Sequence, residues 1–72
     1  MKYVLFVSMD GAVPFGETYE TEVEARVAAA EIRLQDQRLC EALLTVPATS
    51  IDCFLYAGDP QQRENLTFVR EV

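Results

Sequence analysis

The sequence predicts a single small α+β domain, in which one long helix packs on an antiparallel sheet of three or four strands in the order β-β-α-β-β. Its length of 72 residues fits one domain, spanning residues 1–72. Short segments rich in β-branched and aromatic residues lie towards both ends. A stretch of about 25 residues without Gly or Pro separates them, and this is the longest element.

The first two strands are predicted from the segments on either side of a turn. Residues 3–7 are apolar on both faces, as expected for a strand in the middle of a sheet, and turn-forming residues 10–14 follow. Residues 15–20 then alternate, with Phe15, Glu17 and Tyr19 on one side. This alternation predicts a short exposed strand that pairs with the first.

The helix is predicted to begin at Thr21, because Thr21 and Glu24 match the capping-box pattern. It is predicted to continue to Val46, where Pro47 prevents extension. One apolar stripe, interrupted by Gln35, forms the predicted core face: Ala25, Ala28, Ile32, Leu39, Leu43 and Val46. A second apolar stripe, which we call the back stripe, lies almost opposite: Val23, Val27, Ala30 and Leu34. Either the helix bends at residues 35–37 and exchanges faces, or another copy of the chain covers the back stripe.

The last two strands are predicted after a loop at residues 47–50. Residues 51–57 alternate, with Ile51, Cys53, Leu55 and Ala57 on one face. Residues 58–60 break this strand and residues 61–65 form a polar loop. Residues 66–72 form the last strand, in which Leu66, Phe68 and Val72 are expected to share a face.

Composition excludes several classes of function. Six Lys and Arg residues stand against twelve Asp and Glu, and the net charge is -6. Direct binding to nucleic acid or to an anionic membrane is therefore not expected. No segment approaches the roughly 20 apolar residues of a membrane span. The chain has no His, the usual base in nucleophilic catalysis, so we predict a protein that is not an enzyme and that has no metal or cofactor. We also predict a cytoplasmic location, in which Cys40 and Cys53 are buried free thiols.

The acid excess is the main clue to function. No basic residue lies between Lys2 and Arg26, whereas five acidic residues do. Strand and helix spacing predicts an open row of negative charge formed by Glu17, Glu20, Glu24 and Glu31, which would imitate a phosphate backbone. The predicted partner-binding residues are Asp10, Glu17, Tyr19, Glu20, Glu22, Glu24 and Glu31. Ordinary solubility charge explains the same residues equally well. Tyr19 is expected to be exposed, and Tyr56 to lie in the core.

In size, charge and element order the chain resembles the phage-encoded anti-CRISPR inhibitors. Within that group it is similar to acidic members that mimic DNA and block target binding by a Cascade surveillance complex, such as that of type I-C. The resemblance covers the whole chain and rests on no motif. It implies a stoichiometric inhibitor in the cytoplasm of a host bacterium, whose carboxylates occupy a Lys/Arg groove of a Cas subunit. The alternative is a small regulatory or structural interaction domain, monomeric or homodimeric through the back stripe.

Overall fold

The computed structural model describes residues 2–10, 14–46 and 50–72, and it has the predicted α+β architecture. The elements are β1 (Tyr3–Met9), β2 (Phe15–Tyr19), α1 (Glu22–Ala42), β3 (Ile51–Ala57), a short 3-10 helix (Arg63–Asn65) and β4 (Thr67–Glu71). The four strands form one antiparallel sheet in the order β2-β1-β3-β4, with α1 on one face. The chain order β-β-α-β-β is confirmed. The predicted turn residues 11–13 and 47–49 lie outside the described residues.

The strand that is apolar on both faces lies in the middle of the sheet, as predicted. In β1, Leu5 pairs with Glu17 of β2 on one side and with Leu55 of β3 on the other. Leu5 faces α1 and Val4 faces away from it, and both side chains are buried. A central strand can bury both faces because its backbone is hydrogen-bonded on both edges.

Small residues allow α1 to lie close to the sheet. Ala25 and Ala29, one helical turn apart, are both fully buried against the central strands. They pack with Leu5, Val7, Cys53 and Leu55. Burial of one leucine side chain contributes about 1.5–3 kcal/mol to stability. Because the core contains few residues, each large side chain in it supplies a substantial share of that stability.

The helix begins as predicted and ends earlier. The hydroxyl of Thr21 accepts the backbone N–H of Glu24 at 3.1 Å, and Glu24 in turn accepts the N–H of Glu20 at 3.3 Å. At the other end Leu43 is the cap, and Leu44 adopts φ +57°. The N–H groups of residues 44 and 45 bond to the carbonyls of residues 41 and 40, which is a Schellman turn. The predicted extension to residue 46 is therefore wrong by four residues.

The second half of α1 extends past the end of the sheet. At 21 residues the helix is roughly 31 Å long, and Ile32 is its last residue that packs against the core. The core-face prediction is therefore confirmed for Ala25, Ala28 and Ile32 and is wrong for the members beyond them, which are exposed: Leu39, Leu43 and Val46. We call residues 34–46 the projecting segment. A helix buries its apolar stripe only as far as there is a sheet beneath it.

No bend of the helix buries the back stripe. The helix is one continuous element through residues 35–37, where the exchange of faces was predicted. Val23, Val27 and Leu34 all remain exposed to solvent. Within the described part of the chain, the back stripe is thus an uncovered apolar surface.

A bulge changes the register of the last strand. Phe68 pairs with Tyr56 and Arg70 pairs with Leu55, so Val69 is one extra residue in β4. Phe68 consequently lies on the sheet face away from α1, whereas Val72 packs against the core under α1. The expectation that Val72 shares a face with Leu66 and Phe68 is wrong, because the extra residue reverses the alternation.

Candidate functional site

A groove lies between α1 and the edge strand β2. Tyr19 is on the helix-facing side of β2, and five residues of α1 complete the lining: Val23, Glu24, Val27, Ala28 and Glu31. The two valines, 69% and 51% exposed, provide an apolar floor that is open to solvent. Glu24 and Glu31 are two helical turns apart, about 10.5 Å along the axis. We call this feature the acidic groove.

The electrostatics of Tyr19 show that a third carboxylate borders the acidic groove. Partial burial raises the pKa of the Tyr19 hydroxyl, and the negative charges of Glu17 and Glu31 raise it further. The phenol therefore stays protonated and can donate a hydrogen bond. Of the predicted row, Glu17, Glu24 and Glu31 lie near Tyr19, which is half-buried and not exposed as expected.

Glu20 and Glu22 do not add free charge to the acidic groove. Glu20 is exposed, and its carboxylate lies 3.9 Å from the ammonium of Lys2. Glu22 points towards the opposite edge of the sheet, where its Oε1 lies 3.1 Å from Nε of Arg70 without forming a hydrogen bond. Glu20 and Glu22, both predicted as partner-binding residues, therefore lie beside basic residues that the fold brings from the two ends of the chain.

Asp10 belongs to a different part of the molecule. It follows the far end of β1, roughly 23 Å of strand away from the end where Tyr3 pairs with Tyr19. Its N–H donates to the carbonyl of Ser50 at 2.7 Å, and its carboxylate accepts the N–H of Ser50 at 3.0 Å. With φ +50°, Asp10 closes a turn and joins β1 to β3. We therefore remove Asp10 from the candidate site.

The sheet face away from α1 carries an aromatic row that the sequence prediction missed. Phe6 and Tyr56 pack edge to face with ring centroids 5.4 Å apart, and Phe68 packs on Tyr56 at 5.5 Å. The guanidinium of Arg63 lies 5.5 Å from the centroid of Phe6. Tyr56 is thus half-buried on this face and not in the core under the helix. The alternation of Phe54 and Tyr56 in β3 was the signal for this row.

The two thiols differ in their surroundings. Both cysteines are free, and Cys53 is fully buried while Cys40 is only half-buried, so burial is confirmed for one of the two. Burial raises the pKa of the Cys53 thiol, Arg33 opposes this, and Asp52 adds to it. Among residues 2–10, 14–46 and 50–72, no three His, Cys, Asp or Glu side chains are grouped so that they could hold a metal ion. Over the same ranges, α1 is not long and apolar enough to cross a membrane.

Comparison with known proteins found no relative. A scan against protein-family models, a search of curated proteins and a search of solved structures each returned no match to this chain.

Proposed function

We propose that this protein is a non-enzymatic binding protein whose acidic groove receives a basic surface of a partner protein. The observation that carries the proposal is the combination of an exposed apolar floor with carboxylates of Glu17, Glu24 and Glu31 around Tyr19. Within the described residues, Glu17 and Glu31 form no ion pair, so their charge is available to a ligand. A net charge of -6 would also attract a basic partner at long range.

Lysine and arginine side chains fit this groove chemically. Their methylene stems can pack on Val23 and Val27 while their charged ends reach Glu24 or Glu31. A single exposed ion pair contributes only about 0–1 kcal/mol. Useful affinity therefore requires several basic side chains at once, together with burial of the apolar floor.

We extend the proposal to a partner whose basic surface serves to bind nucleic acid. In the form that the anti-CRISPR resemblance implies, the protein is an inhibitor that mimics DNA, and its partner is a Cas subunit of a Cascade complex. Carboxylates spaced along a strand and a helix would then occupy positions that accept phosphates. Net negative charge supports this extension, since a surface that binds phosphates also attracts other anions.

The first test is a pull-down from a bacterial lysate at low and high salt. The recovered partner, and separately purified type I-C Cascade, are then titrated with this protein, and target DNA is added as a competitor. The test variant is Glu17→Gln/Glu31→Gln, which leaves the helix cap at Glu24 intact. The control variant, Glu64→Gln/Glu71→Gln, removes the same charge at exposed positions outside the acidic groove.

We expect affinity to fall at least about tenfold between 50 and 200 mM salt, and to fall similarly in the test variant but not in the control. Binding that does not respond to salt, or equal losses in both variants, would refute the acidic groove as the site. If a basic partner is recovered but nucleic acid does not compete with this protein for it, the acidic groove would remain the proposed binding site and the DNA mimicry would be refuted.

The exposed back stripe favours a second candidate function, that of a regulatory or structural module held by apolar contacts. Val27 is half exposed with no described residue covering it. On this alternative, binding would be nearly indifferent to salt and would be lost in Val27→Asp. The charge-neutral variant Val27→Thr, of nearly the same shape, should lose less.

A further inference from the structure

We infer that the projecting segment is the docking surface for a second copy of this chain, which would form an antiparallel pair of α1 helices. This inference concerns the end of the molecule remote from the acidic groove and does not rest on the proposed function. It is argued from exposed apolar area, from one strained residue and from the distribution of charge.

The exposed apolar area is large for a chain of this size. Four residues of the projecting segment are mainly exposed: Leu39 at 59%, Leu43 at 62%, Leu44 at 94% and Val46 at 83%. Leu39 and Leu43 are one helical turn apart and continue the face that Ala25, Ala29 and Ile32 bury against the sheet. Soluble monomers rarely carry a contiguous apolar surface of more than a few hundred Å².

The conformation of Leu44 points to the same surface. Leu44 has φ +57° at the position of a Schellman turn where glycine is usual, and its side chain is almost completely exposed. Glycine would form the same turn without the steric cost of a side chain. The leucine therefore contributes little within one copy, whereas a partner that covers it would gain its full apolar surface.

The available area agrees with a small dimer interface. Complete burial of a leucine or valine side chain removes roughly 60–120 Å² from water, so these four residues offer on the order of 300 Å² per copy. A standard interface buries about 800 Å² per partner, a little over half of it apolar. The stem of Gln35, which interrupts the same face of the helix, would supply part of the remaining apolar area.

Charge selects both the surface and the orientation. The projecting segment carries Arg38 against Asp36 and Glu41, a net charge of -1, so two copies can meet here with little like charge. The back stripe lies beside the carboxylates of the acidic groove, where two copies would repel each other. An antiparallel pair separates the negative C-terminal ends of the helices and places the two acidic grooves at opposite ends of a two-fold dimer.

The test is sedimentation equilibrium of the full chain from about 1 to 500 µM, without any other protein or lipid. We expect a reversible monomer–dimer equilibrium. Leu39→Gln/Leu43→Gln should weaken dimerisation at least about tenfold, because it removes apolar area only from the interface. The matched control Val23→Gln/Val27→Gln replaces two apolar residues of similar fractional exposure on the back stripe and should dimerise as the wild type does.

A further variant separates dimerisation from folding. Leu44→Gly relaxes the strained turn, so at low concentration its melting temperature should be equal to or above that of the wild type, while its dimerisation should weaken at least about fivefold. A wild-type chain that stays monomeric throughout, or a control double variant that loses dimerisation as strongly as the test variant, would overturn the inference. Binding of the protein to lipid vesicles through Leu39 and Leu43, without any self-association, would also overturn the inference.

Discussion

Replacement of Arg33 by methionine should destabilise the protein more than any other exposed substitution on α1. Arg33 lies where the helix passes the end of the sheet, and its Nη2 donates to the backbone oxygens of Ile51 at 3.2 Å and Val72 at 2.7 Å. One side chain thus joins the helix to the start of β3 and to the residue after β4. Methionine keeps most of the apolar stem and removes both hydrogen bonds.

The size of the effect follows from the two bonds and their exposure. A hydrogen bond to a charged group contributes about 1.5–3 kcal/mol when it is shielded from water. The guanidinium of Arg33 is exposed, so water replaces part of each bond and a value of about 1 kcal/mol per bond is appropriate. The expected loss of about 2 kcal/mol lowers the melting temperature by roughly 8–16 °C in a domain of this length. Total stability for 72 residues is on the order of 4–11 kcal/mol, so the variant should remain folded.

The assay is urea unfolding followed by far-UV circular dichroism, at one low protein concentration for all variants. Arg38→Met is the matched control, since Arg38 is also exposed on α1 and makes no hydrogen bond or ion pair within the described residues. Arg33→Lys should lose about half as much as Arg33→Met, because an ammonium group reaches one of the two oxygens more readily than both.

Two results would refute this reasoning. The first is a free energy of unfolding for Arg33→Met within about 0.5 kcal/mol of that of Arg38→Met, the usual range for an exposed substitution. The second is Arg33→Lys with full wild-type stability, which would show that charge alone is sufficient and that the paired geometry contributes nothing.

Four further predictions test the helix cap, the core, the acidic groove and the response to alkaline pH. Thr21→Ala should lower the free energy of unfolding by about 1 kcal/mol in thermal or urea unfolding. Thr21→Ser keeps the capping hydroxyl and should lose much less stability, and equal losses in the two variants would contradict the cap. In the folded protein at low concentration, Cys40 should react with a thiol reagent well before Cys53, because burial both shields the Cys53 thiol and raises its pKa. Equal reaction rates would show that Cys53 is not in the core. Glu31→Gln should lower the pKa of Tyr19 towards its ordinary value in an ultraviolet titration, since one of the negative charges that raise it is removed; an unchanged titration would separate Glu31 from Tyr19. Because the pKa of Tyr19 is raised in the folded state, its contribution to stability is present below the pKa of the unfolded chain, near 10, and is lost as pH rises through the folded value. The free energy of unfolding should therefore decrease as the pH rises above about 10, and a free energy that does not change there would contradict this.

The elements could be predicted because their signals are local. Thr21 and Glu24 are three residues apart, and their capping hydrogen bonds form within one turn of backbone. The alternation of apolar and polar residues over 51–57 predicts β3 with the bounds that the structure has. Both this alternation and the break at Gly58, with φ +141°, depend only on neighbouring residues. The central position of β1 likewise followed from its two apolar faces.

The candidate site was predicted in part, because charge counts along a chain ignore partners that are distant in sequence. Strand and helix spacing predicts Glu17, Glu24 and Glu31 in one row, and all three lie near Tyr19. Glu22 was predicted as a partner-binding residue, yet Arg70 reaches it from the far edge of the sheet. Asp10 was grouped with the acids by proximity in sequence, although β1 carries it to the opposite end of the molecule.

The sequence by itself determined that this chain is acidic, that it has one helix among four strands, and where the strands and the start of the helix lie. Only the tertiary structure decided which apolar stripe is covered and which charges are free. The stripe from Ala25 continues past Gln35 to Leu43, but the sheet covers it only as far as Ile32. Helix length depends on local backbone preferences, whereas the surface beneath the helix depends on strands that pair from both ends of the chain, so periodicity alone cannot show where burial stops.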